Sequence, residues 1–174
     1  MHKEINPGGK WFKRLYINVL MFFVGRGLQA AARVDKDVKN EIAEMPEGFS
    51  FMLKVLPDSA KMIVAKDKNG RLKYHGNRMA EDEIDVIIMF KNIEAAMLLF
   101  TFRESTAVSF ARDRMIVKGD LSNALAVVRC LNIVESYLLP AFIARLAVKR
   151  YPRWPFMTKL INRTRVYFRV LLGY

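Results

Sequence analysis

The chain has 174 residues, a formal net charge of +12 and a single cysteine. That length suits one domain with appendages, long enough to close a core unaided, and one cysteine excludes an internal disulfide framework. The charge is concentrated at the ends. Residues 1–33 carry a net +5, residues 34–135 a net −1 and residues 136–174 a net +8, so a near-neutral globular middle is flanked by ends suited to something anionic.

The first ten residues, with Pro7-Gly8-Gly9 as breakers, read as a flexible lead. In the following stretch Leu15 to Val24 is apolar except for Asn18, about ten residues against the ~20 that span a hydrocarbon core. Two readings stay open. Lys10, Lys13 and Arg14 before the run and Ala30-Ala31-Ala32 after it fit the h-region of a signal peptide. Arg26, between run and alanines, and the helix-friendly DKDVKNEIAEM beyond them favour retention as an amphipathic or buried helix. Its Trp11, Phe12, Tyr16, Phe22 and Phe23 would then suit a lipid boundary.

Pro46-Glu47-Gly48 ends this helical region and opens the central domain. Strands are expected over 49–56 and 61–66. Asp67-Lys68-Asn69-Gly70 then makes a tight hairpin turn into a third strand at 71–75, because Asn-Gly tolerates positive φ. After a polar loop, IDVIIMF (84–90) is the fourth strand and RMIVK (114–118) the fifth, with a helix opening at Asn92 between them. Val86, Ile88 and Phe90 face one side of the sheet, while Asp85, Ile87 and Met89 face the other. Ile87, Met89 and Ile116 make that second side too apolar to stay bare, so a terminal helix or a second subunit is expected over it.

Gly119 and Asp120 turn the chain into a last helix over 121–139, with Asp120 as the cap. This helix is apolar nearly all round. Leu121, Ala124, Leu125, Val128 and Leu131 make one stripe; Ala126, Val127, Cys130, Ile133, Val134, Tyr137 and Leu138 make most of another. Such a helix is covered on both sides by protein, lipid or an apolar ligand. Cys130 in this setting reads as a buried structural thiol.

The order of an Asp85-Val86-Ile87-Ile88 strand, a short helix, a Val117-Lys118-Gly119-Asp120-Leu121 step and an apolar helix resembles a sterol carrier protein 2 type lipid-binding domain. The resemblance covers residues ~49–139. It departs in the middle, where Phe102-Arg103-Glu104 and Asp113-Arg114 replace glycine-containing segments common in that family. It implies an α+β fold: a five-stranded mixed sheet with helices on one face enclosing an apolar tunnel, closed by the last helix. Carried onto this chain, the inward candidates are Val86, Ile88, Phe90, Met97, Phe100, Phe110, Met115, Val117, Leu125, Val128 and Leu131. Five of the ten methionines, Met52, Met62, Met89, Met97 and Met115, fall on these strands or the short helix; flexible thioethers conform to ligands of variable shape, or simply fill gaps.

The chain therefore divides into a basic, aromatic helical extension (1–45), the lipid-binding-like domain (46–139) and a basic amphipathic extension (140–174). In the last, Arg145, Lys149, Arg150, Arg153, Lys159, Arg163, Arg165 and Arg169 are mixed with Trp154, Phe156, Tyr167 and Phe168. Each cation near an anionic leaflet contributes about 1 kcal/mol. With Trp11 and Phe12 these residues are the candidate membrane contacts; packing on the chain's own domain is the plainer alternative, and nucleic acid fits less well because aliphatics are so frequent.

No phosphate-cradling glycine loop or GxSxG turn occurs, and the two histidines, His2 and His75, have no partner at metal-ligand spacing. The expectation is a non-enzymatic protein without cofactor or metal that binds, transfers or presents a sterol, acyl lipid, phospholipid or isoprenoid. It would be cytoplasmic and peripherally attached to an anionic membrane. Alternatives are an accessory subunit presenting an isoprenoid quinone or other lipid to a partner enzyme, a homodimer, and a structural module whose core is filled by its own side chains.

Overall fold

A computed structural model describes residues 11–57, 60–101 and 103–138. The chain runs α1 (Trp11–Val34), α2 (Lys36–Glu44), β1 (Ser50–Val55), β2 (Ala60–Lys66), β3 (Leu72–Gly76), β4 (Val86–Phe90), α3 (Ile93–Phe100), α4 (Thr106–Ala111), β5 (Met115–Lys118) and α5 (Leu121–Leu138). The five strands form one mixed sheet in the order β3-β2-β1-β4-β5. β1 and β4 are parallel at its centre, Leu53 opposite Ile88, and the other pairings are antiparallel.

All five expected strands are present. The alternation of β4 also holds: Val86, Ile88 and Phe90 join the main core, whereas Ile87 and Met89 belong to a smaller cluster on the other face with Met52 and Ile63. That second face is shielded. Met52 and Ile63 are fully buried, and among the described residues Met79, Ile84 and Ile116 pack against the cluster.

Helix caps set the local geometry as the side chains require. The Asn92 Oδ1 accepts the Ala95 N–H at 2.8 Å and opens α3, and the Asp120 Oδ1 accepts the Asn123 N–H at 2.8 Å and opens α5. Helix α4 is an addition to the expected elements, a six-residue helix capped by Ser105. It is fixed from below by Glu104, which receives the Ser109 hydroxyl at 2.9 Å, Arg112 at 2.7 Å and Arg114 at 3.0 Å. Desolvation is the largest influence on the Glu104 carboxyl and raises its pKa. The hydrogen bonds from Ser109 and Arg112 and the charges of Arg114 and Arg112 outweigh it and leave the value lowered. Two of the residues that depart from the family pattern, Glu104 and Arg114, thus belong to the ionic hub joining α4 to β5.

Residues 11–44 share the core of the sheet. Ile17, Met21, Val24, Leu28 and Ala31, spaced alternately four and three apart, lie along one side of α1 and are buried in the main cluster with Val38 and Ile42 of α2. At 24 residues α1 is long and apolar enough to cross a membrane, yet this side of it rests on the sheet. At Gly25 the approach is close: a Cβ there would stand 2.5 Å from the Tyr74 ring. The Tyr74 N–H donates to the Gln29 Oε1 at 3.0 Å.

Two buried polar links close the assembly. Asp35 caps α2 through Val38 (3.0 Å) and also accepts the Tyr137 hydroxyl from α5. The Lys66 ammonium donates to the carbonyls of Ile42 (2.9 Å) and Met45 (2.7 Å), where the negative end of the α2 dipole favours a cation.

Candidate functional site

The two segments that carried the family resemblance meet in space. Ser50 at the start of β1 donates its N–H (2.8 Å) and hydroxyl (3.0 Å) to the Asp85 Oδ2, which sets the register of β4 against β1. Gly119 passes directly over the Asp85 carbonyl: a Cβ would lie 2.0 Å from that oxygen, and φ is +99°. Only glycine allows this crossing. It directs α5 back over the sheet, above β4 and β5 and against α1 and α2.

Between α5 and the sheet lies an apolar pocket. Its walls are Leu53 of β1, Ile88 and Phe90 of β4, Leu99 and Phe100 of α3, Thr106 of α4, Met115 of β5, and Val128, Leu131 and Glu135 of α5. The Phe90 and Phe100 rings meet at 5.7 Å. The cavity volume is about 10 Å³, about the least that holds one water. Among the described residues the space beneath α5 is thus far smaller than the tunnel implied by the family resemblance.

Six of the eleven expected lining residues, Ile88, Phe90, Phe100, Met115, Val128 and Leu131, surround this pocket. Val86 is buried elsewhere in the same core, and Met97 and Val117 pack against it half-buried. Phe110 and Leu125 are corrections: they are 51% and 52% exposed and face outward. Leu125 lies on the outer edge of α5, whose core side is formed by Ala124, Val127, Cys130, Val134 and Tyr137; Phe110 lies on the outer side of α4, a helix the sequence reading had not assigned. Trp11 and Phe12 are exposed, whereas the expected contacts Arg145, Lys149, Arg150, Arg153, Trp154, Lys159, Arg163, Arg165 and Arg169 lie outside the described residues.

Sequence reasoning missed Leu53, Leu99, Thr106 and Glu135. Glu135 continues the spacing of Val128 and Leu131 on α5, four residues further on, so helical periodicity alone places it at the pocket. Its residue is half-buried, and among the described residues its carboxyl makes no hydrogen bond or ion pair. Desolvation pushes its pKa up to about 8, so it is largely protonated at neutral pH. The Cys130 thiol, also buried, is pushed up to about 12 chiefly by desolvation and is held as the neutral thiol. Burial, then Lys73 and Arg78, lower the pKa of His75. Among the described residues no group of His, Cys, Asp and Glu is placed to hold a metal.

Fold and pocket together define an α+β domain with an apolar site beneath the last described helix. Solved structures of similar fold include a UbiJ-SCP2 ubiquinone synthesis protein, with a TM-score of 0.47 at 14% identity over 71% of this chain and 99% of that one. Another is the solution structure of the sterol carrier protein domain 2 of Helicoverpa armigera, with a TM-score of 0.38 at 16% identity over 76% and 94% of the two chains. No protein-family model and no curated protein sequence matches the chain.

Proposed function

We propose that this chain binds an apolar molecule bearing one polar group in the pocket beneath α5, and transfers or presents it at an anionic membrane surface. The observation that carries the proposal is Glu135, whose carboxyl has no hydrogen-bond or ion-pair partner among the described residues, in a wall otherwise formed by apolar side chains and Thr106. A core that only fills space is better served by leucine there, which removes the desolvation cost. Apolar walls with one or two placed polar groups are the usual composition of a small-molecule site. In its protonated form Glu135 both donates and accepts a hydrogen bond, which suits the hydroxyl or carbonyl end of a lipid.

Entry requires the walls to part. Helix α5 is tied to the N-terminal helices by Tyr137 and Asp35 and by the fork of Arg129 on Glu41 (2.6 and 2.7 Å). Opening is assigned to the side of the short α3–α4 pair, where Met97 and Met115 can adjust to the guest. The membrane part rests on α1. Trp11, Phe12, Leu15, Tyr16, Val19, Phe22 and Phe23 are exposed along the side turned away from the core. Arg26 lies among them, stacked 5.3 Å over Phe22, and Arg14 is exposed beside them, while Lys13 pairs with Glu94 of α3 at 3.3 Å. Aromatic and basic residues so mixed suit the boundary of an anionic bilayer.

The second reading, a structural module with a filled core, is favoured by the small volume of the cavity. Titration of the purified full chain with a fluorescent fatty alcohol separates the two. The carrier binds it, and Val128→Trp, which fills the pocket, abolishes binding, with circular dichroism checking that the variant keeps its fold. A module that binds nothing in either form contradicts the proposal.

A further inference from the structure

On another part of the surface, the last turn of α1, the flank of α2 and the turn joining β2 to β3 enclose an open cleft of about 490 Å³, lined by Ala32, Arg33, Lys39, Gly70 and Arg71. Three of these five residues are cationic and none is acidic. The Arg33 Nε is buried without a hydrogen-bond partner. Lys39 and Arg71 are exposed and their side chains take part in none of the ion pairs of the described residues. Two acids close in sequence are engaged elsewhere. Asp35 caps α2 and receives Tyr137, and the Asp67 Oδ1 accepts the N–H groups of Asn69 (2.9 Å) and Arg71 (2.8 Å) within the hairpin turn.

The backbone holds these cations in place. The Asp35 N–H donates to the Ala31 carbonyl at 2.8 Å, which fixes the corner that carries Arg33. Asp67 N–H to Arg71 carbonyl (2.8 Å) and Gly70 N–H to Asp67 carbonyl (2.9 Å) fix the turn that carries Arg71. Because the Arg33 Nε has no contact with solvent, an anion in the cleft would meet the terminal nitrogens of that guanidinium.

We infer that this cleft binds a phosphate group, with Arg33 as its fixed donor and Lys39 and Arg71 meeting the remaining oxygens. Three cations on three separate elements match a dianion with three terminal oxygens, whereas a planar carboxylate satisfies a single guanidinium fork. The volume lies within the range of small-molecule sites, so the phosphate can carry a substituent. The phosphate has two possible sources, a lipid headgroup and a soluble phosphate compound. The site is independent of the pocket beneath α5.

The test uses the full chain, in which the cations of 140–174 are the same in every variant. Inorganic phosphate is titrated calorimetrically at fixed ionic strength, with chloride as the reference, into wild type, Arg33→Gln, Lys39→Gln and Arg71→Gln. Saturable binding is expected in wild type, weakened about tenfold by each substitution. Lys39 and Arg71 are exposed, so their variants keep the test valid if Arg33→Gln does not fold. Vesicles of phosphatidate in phosphatidylcholine, compared with phosphatidylserine at equal surface charge, then identify the source. A preference for phosphatidate that Arg71→Gln removes supports a lipid headgroup; saturable inorganic phosphate binding with vesicle binding unchanged in that variant supports a soluble phosphate. Phosphate heats equal to those of chloride, or three variants that bind phosphate as wild type does, overturn the inference.

Discussion

Glu135→Gln keeps the shape of the residue and removes its charge, so its effect on stability reads the desolvation of the pocket. Below the ordinary carboxyl value of 4.5 the group is protonated in both folded and unfolded chains. Between 4.5 and about 8 the unfolded chain has lost the proton and the folded chain retains it. The unfolded state then binds fewer protons, and stability falls as pH rises, reaching its full loss above about 8. At about 1.4 kcal/mol per pH unit the whole span is worth about 5 kcal/mol. Glu135 is only half-buried, and solvent screening reduces this to about 2–3 kcal/mol. Glutamine carries no such pH-dependent cost. Urea denaturation at pH 5 and pH 8.5 should therefore give nearly equal stabilities at the lower pH and a variant about 2–3 kcal/mol more stable at the higher, a Tm difference of about 4–12 °C for a chain of this size. A variant whose advantage is the same at both pH values, or which is the less stable at pH 8.5, refutes the claim that Glu135 sits desolvated and unpaired.

Gly119→Ala forces a Cβ against the Asp85 carbonyl at a positive φ, and a loss of about 2–4 kcal/mol is expected in denaturant melts; a change below about 0.5 kcal/mol contradicts the crossing described. Glu104→Gln should destabilise at neutral pH. Because the Glu104 pKa is lowered in the folded chain, the contribution it makes is present above the ordinary value and disappears as pH falls through the lowered one, so wild type and variant should converge in acid; a gap that widens there argues against the hub. Trp11→Ser with Phe12→Ser should weaken sedimentation with anionic vesicles at little cost in Tm, since both rings are largely exposed; unchanged sedimentation removes the start of α1 from the membrane contact. Deleting 140–174 should weaken binding to anionic vesicles far more than to neutral ones, and equal loss on both tells against the electrostatic contribution.

Much of this architecture is written locally. Alternation marks the strands, Asn92 and Asp120 mark helix starts, and the inward set of β4 follows from period two alone. Helix α4 was not legible because six residues hold barely more than one turn of pattern, and the hub that secures it depends on Glu104, Arg112 and Arg114 folding back on one another. The long-range pairs, Tyr137 with Asp35 and Lys66 with the end of α2, join residues whose types read as surface groups until the fold brings them together. Glu135 was overlooked for the same reason. Its position on the pocket stripe was visible in the spacing, but an acid is ordinarily assigned to solvent. The burial of α1 follows the spacing of Ile17, Met21, Val24 and Leu28, while which of its two apolar sides meets the sheet is settled by the near contact of Gly25 with Tyr74.

The opening of the pocket to an apolar guest is the claim on which the functional reading rests, because the cavity at rest holds no more than about 10 Å³. Native mass spectrometry of the full chain, purified without detergent and then incubated with a fatty alcohol, measures it directly. Wild type should carry one bound alcohol molecule per chain and Val128→Trp none. A wild-type spectrum containing only the bare chain at saturating alcohol would contradict the account.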